Sequence, residues 1–60
     1  MASAGYDPKT RTLKIQFHSG KIYRYYDVPE EVYTELMEAD SVGRYFNAEI
    51  RGAFSYEQVR

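Results

Sequence analysis

The side chains best equipped to bind something are cations set among aromatic rings. Lys21-Ile-Tyr-Arg-Tyr-Tyr26 interleaves positive charge with tyrosine, and Lys14 lies one predicted strand away. Rings stack on unpaired bases while cations follow phosphates, the usual way single-stranded RNA is held. Lys14, Arg24 and Tyr26 therefore form one candidate nucleic-acid-binding group. Arg44, Asn47 and Arg51 form another, a row of donors on one face of a predicted helix, suited to phosphate contacts. The rings also have a plainer use, since a core this small needs large side chains.

Catalytic arrangements are poorer. His18 stands beside Ser19 in a predicted turn, where sequence neighbours point apart and do not form a nucleophile–base pair. Glu31 and Glu35 are four apart on a predicted helix, but on its wet face, without an apolar pocket to separate their pKa values. One histidine and no cysteine exclude the familiar zinc spacings. The four glycines stand singly, so no glycine-rich phosphate loop exists. The expectation is a binding module that is not an enzyme and carries no cofactor or metal.

Sixty residues make one domain, 1–60. A domain of this size buries only ~60% of the surface its unfolded chain exposes. With no cysteine it has no disulfide to help, so seven tyrosines and three phenylalanines must supply the burial, each ring removing roughly 150–250 Å² from water. No apolar run approaches the ~20 residues of a membrane span, and the N-terminus lacks the basic and apolar regions of a signal peptide. We expect a soluble, cytoplasmic protein with no membrane contact. Net charge is −1, but the charges are segregated. Residues 8–26 hold five bases and no acid; residues 27–40 hold six acids and no base. A basic hairpin suits an anionic partner, and opposite charge along the chain also suits attraction between copies.

Leu13, Ile15 and Phe17 alternate with polar residues, the period of a half-buried strand. His18-Ser19-Gly20 reads as a three-residue hairpin loop with Gly20 in the left-handed position. That loop pairs Ile15 with Tyr23 and Leu13 with Tyr25, leaving Lys14, Gln16, Arg24 and Tyr26 on the opposite face. Before it, Asp7-Pro8 carries turn chemistry. Pro29 suits the first position of a helix whose opening turn holds Glu30 and Glu31, with Val32, Leu36 and Ala39 on its apolar face. Asp40 or Ser41 can cap a second helix, Val42 to Arg51, with a Val42, Phe46, Ile50 stripe. Gly43 reads as a site of close approach and Gly52 as the helix stop. Ala53 to Tyr56 is left as either a short strand or a packed tail. The predicted fold is α+β: a three-stranded antiparallel meander on two short helices. Its predicted core is Leu13, Ile15, Phe17, Tyr23, Tyr25, Val32, Leu36, Phe46 and Ile50.

Gly5-Tyr-Asp-Pro8, Ser19-Gly20, Tyr23-Arg-Tyr-Tyr-Asp-Val-Pro29, Ser41-Val-Gly-Arg-Tyr-Phe-Asn47 and Ile50-Arg-Gly52 together resemble the KTSC domain family. That family is named for the C-terminus of some lysyl-tRNA synthetases and also occurs as small stand-alone bacterial and phage proteins. The resemblance implies RNA, as tRNA or a single strand, as the leading partner; it offers no established site residues to transfer. Members usually have more residues before Gly-Tyr-Asp, so the first strand is expected to be short or its edge open. An open edge invites a partner strand or a second copy, which makes protein–protein interaction or homo-oligomerisation the alternative function.

Overall fold

In the computed structural model, which describes residues 1–60, the chain forms an α+β fold. Strands β1 (Ser3–Asp7), β2 (Thr12–Gln16), β3 (Ile22–Tyr25) and β4 (Tyr56–Gln58) form one antiparallel sheet in the order β1-β2-β3-β4. Four strands replace the three expected. β4 begins at Tyr56, the last residue of the segment open between strand and tail, and pairs Tyr56 with Tyr25 and Gln58 with Tyr23. Its residues are all exposed and only three long, so no burial periodicity announces it.

The central hairpin has the expected register, Leu13 opposite Tyr25 and Ile15 opposite Tyr23. Phe17 N–H donates to the Lys21 carbonyl, and Gly20 N–H to the Phe17 carbonyl, each at 2.9 Å. Gly20 takes φ 92°, a backbone state that side chains make costly.

Two further residues, Arg11 (φ 57°) and Asp27 (φ 58°), also adopt the left-handed conformation. Arg11 closes the first hairpin, in which Asp7 pairs with Thr12 and accepts from Lys9 N–H at 2.9 Å. Asp27 turns the chain out of β3, and Val28 N–H then donates to the Arg11 carbonyl at 2.9 Å. This corner brings Val28 to complete burial, a core position the sequence reading lacks. The Tyr6 hydroxyl donates to the Val28 carbonyl, and the Tyr6 ring stacks on Tyr33 at 5.2 Å.

Helix α1 (Glu30–Glu38) begins after Pro29, which occupies the capping position rather than the first helical one. Its opening acids face the positive end of the helix dipole. Helix α2 (Val42–Tyr45) is capped by Ser41, whose hydroxyl accepts from Arg44 N–H at 3.3 Å. The second helix is not uniformly α-helical as expected: Phe46–Ile50 form a π turn, with Arg51 N–H donating to the Phe46 carbonyl five residues back. Gly43 has no neighbour within 4 Å of a Cβ built on it, so close approach does not explain it. Gly52 does not take the left-handed state expected of a helix stop.

The buried core is Leu13, Ile15, Tyr25, Val28, Leu36, Phe46 and Ile50. Phe17, Tyr23 and Val32, expected inside, pack against it while half-exposed. β1 is fully paired with β2 over five residues, and its other edge has no strand beside it.

Candidate nucleic-acid interface

On the helix side of the sheet a cleft of about 410 Å³ separates the π turn from β3 and β4. Phe17, Ser19 and Lys21 close one end, Tyr23, Tyr25 and Tyr56 line the sheet wall, and Phe46, Asn47 and Arg51 the helical wall. The rings form one connected cluster. Tyr25 lies 5.4 Å from both Phe46 and Tyr56, and Tyr23 lies 5.5 Å from Phe17 and 5.7 Å from Tyr56. Such contacts add to plain burial and hold the walls in place.

The π turn sets the helical wall. A turn closed by i→i−5 bonds rotates less per residue than an α turn, so residues four apart stay in line. Phe46 and Ile50 are therefore both buried, while Asn47 and Arg51 both reach the cleft. Arg44 precedes that turn and does not line the cleft.

Tyr25 is only 3% exposed and lines the cleft, yet its hydroxyl takes part in none of the side-chain hydrogen bonds of the chain. No fully occluded side-chain polar atom lacks a partner, so the hydroxyl opens onto the cleft space. Burial raises the Tyr25 pKa, reinforced by Tyr23 and Tyr56 and opposed by the Arg51 charge. The phenol is thus a standing donor at neutral pH. Lys21 and Arg51 contribute two positive charges, and no acidic side chain lines the cleft.

The opposite face of the sheet carries the other expected group. Lys14 pairs with Arg24 across β2 and β3, and both line a shallow groove with Tyr26, Gly5, Tyr6, Asp7, Thr10 and Thr12. Here β4 changes the chemistry. Glu57 lies opposite Arg24, and the Tyr26 hydroxyl donates to a Glu57 carboxylate oxygen at 2.8 Å. That bond raises the Tyr26 pKa, with Arg24 acting the other way. The face thus combines Lys14 and Arg24 with Glu57 and Asp7, and its tyrosine hydroxyl is already engaged.

Of the six candidate residues, Lys14, Arg24 and Tyr26 gather on the outer face and Asn47 and Arg51 at the cleft, with Arg44 apart from both. The sequence reading omits Ser19, Lys21, Tyr23, Tyr25 and Tyr56 from its candidate site. The parity of Lys21, Tyr23 and Tyr25 along β3 is a signal for placing them on one face; no local signal places Tyr56 beside them.

The family model of the KTSC domain matches residues 1–54. The chain belongs to the KTSC domain family. A crystal structure of a KTSC domain protein from Yersinia pestis superposes with a TM-score of 0.93 at 41% identity, covering 97% of this chain and 82% of that one. The family model stops before β4, but a 97% superposition takes in at least part of that strand. This KTSC domain is also 50% identical over 54 residues to a lysine–tRNA ligase of Nostoc sp., covering 90% of this chain and 10% of the ligase. It therefore spans about a tenth of such relatives. An uncharacterised Stutzerimonas stutzeri protein is 53% identical over 47 residues, which cover 78% of this chain and 66% of that one. The domain thus occurs both within synthetases and in small proteins. No helix is long and apolar enough to cross a membrane.

Proposed function

We propose that this KTSC domain is a non-catalytic, cytoplasmic RNA-binding module and that RNA enters the cleft between the π turn and β4. The observation that carries this reading is the cleft's composition: five aromatic rings, two cations and no carboxylate, in a chain whose net charge is negative. Stacking rings beside phosphate-seeking cations form the minimal equipment for holding a single strand. The lysine–tRNA ligases among the relatives are named for a tRNA substrate, so tRNA is the RNA to try first.

Amide NMR titration of the labelled domain with total tRNA and with a short mixed single strand, at low and moderate salt, tests the reading. Shifts centred on Ser19, Lys21, Asn47 and Arg51 that fade with salt are expected. Shifts confined to Lys14, Arg24 and Tyr26 would move the interface to the other face; an unchanged spectrum would end the RNA reading. The open outer edge of β1 favours a second reading, in which a partner strand or another copy pairs there. That reading expects a solution mass at a multiple of 7.0 kDa or capture of an extended peptide.

A further inference from the structure

We infer that the cleft seats one unpaired nucleotide at a time, its base stacked on Tyr56 and its backbone phosphates held by Lys21 and Arg51. The inference rests on the RNA reading and narrows it from a surface to a single-residue pocket for an unpaired base.

Tyr56 is the ring available for stacking. It is 59% exposed, while its other contacts, with Tyr23 and Tyr25 at 5.7 and 5.4 Å, anchor it from the sheet side. A ring braced on one side and open on the other is a platform. Inside a duplex both faces of every internal base are covered by neighbours, so only an unpaired base offers a face to such a platform. The cleft volume, about 410 Å³, falls at the low end of small-ligand pockets, which run roughly 300–1,000 Å³.

The polar groups are arranged for a ring bearing charge at its side. Lys21 enters from the hairpin end and Arg51 from the helical wall, so the two cations flank the aromatic wall from separate elements. The same cleft is lined by Asn47, whose amide both donates and accepts, and by Tyr25, whose hydroxyl opens onto it without a protein partner. A free hydroxyl donor in an aromatic cleft suits a base-edge acceptor. A purely apolar ligand would leave that hydroxyl and both cations unused.

The test is fluorescence anisotropy with a labelled single-stranded octanucleotide, competed by the same sequence as a closed duplex and by an acidic tyrosine-containing peptide. The parent domain is compared with Tyr56→Phe, Tyr56→Ala and Tyr25→Phe. The single strand is expected to bind and the duplex to compete weakly. Tyr56→Phe should bind like the parent, while Tyr56→Ala should lose roughly tenfold or more in affinity. Tyr25→Phe, which keeps the ring, should lose severalfold. Circular dichroism shows whether each variant is folded, and Tyr56→Phe keeps the comparison interpretable if Tyr56→Ala is not. Equal competition by duplex, with Tyr56→Ala unaffected, would overturn the single-nucleotide pocket and leave RNA binding standing. Equal competition by the peptide would show that the cleft reads only rings and charge, and would overturn the assignment to nucleotides. Absence of any RNA binding would remove both readings.

Discussion

The two faces of β3 carry similar residues and have opposite fates. Toward the helices, Lys21, Tyr23 and Tyr25 join Arg51 in a cleft without acids; away from them, Arg24 joins Lys14 and Tyr26 beside Glu57 and Asp7. Both faces pair cations with tyrosine, the composition that points to nucleic acid. They differ in what distant segments bring to them. β4 adds a free ring, Tyr56, to one face and a carboxylate, Glu57, to the other, because successive residues of a strand point to opposite sides. The same three-residue strand thus adds an exposed ring to one face and negative charge to the other.

The largest expected effect separates packing from charge. Tyr25→Ala should destabilise the domain by about 3–5 kcal/mol, by analogy with buried aromatic truncations, whereas Lys14→Ala on the outer face should stay within about 0.5 kcal/mol. Urea midpoints measure both, and a stable Tyr25→Ala protein would break the assignment of faces. Next comes the charge comparison. Arg51→Glu should weaken RNA binding and lower the salt slope by about one counterion; Arg24→Glu, already opposite a carboxylate, should bind close to the parent. Equal losses would erase the distinction between faces. Gly20→Val should cost about 1–2 kcal/mol, because it forces a branched residue into the left-handed position that ends the loop before Lys21. The smallest effect is in alkali. The Tyr25 pKa is raised above its unfolded value near 10, so its protonated form contributes stability that is fully present below about pH 10 and is lost as pH rises through the folded pKa. Tyr25→Phe should flatten the decline of the thermal midpoint above that pH.

The central hairpin was legible because its register rests on local facts: a two-residue alternation and a glycine where the loop needs φ > 0. The same holds for the acidic start of α1, the Ser41 cap and the Asp7 turn. Val28 escaped because two left-handed residues, Arg11 and Asp27, bring a loop position into the core, and their backbone state leaves no apolar period. β4 is not legible because its pairing spans some thirty residues and all its side chains are exposed. For the candidate site, helical spacing places Asn47 and Arg51 on one face, but the cleft they line depends on a π turn and on Tyr56. A regular helix would carry Arg44 on the same face, but it precedes the π turn and does not line the cleft. Neither the bonding pattern of that turn nor a contact so distant in sequence is written in local composition.

The π turn also has a consequence for how such a domain can vary. It sets two pairs at once, Phe46 with Ile50 facing the core and Asn47 with Arg51 facing the cleft. Substitution can alter either pair while leaving the other in place. A change in length cannot, since removing one residue turns everything after it about the helix axis and carries a core residue and a cleft residue off their faces together. This segment therefore bears a change of letters more easily than a change of count.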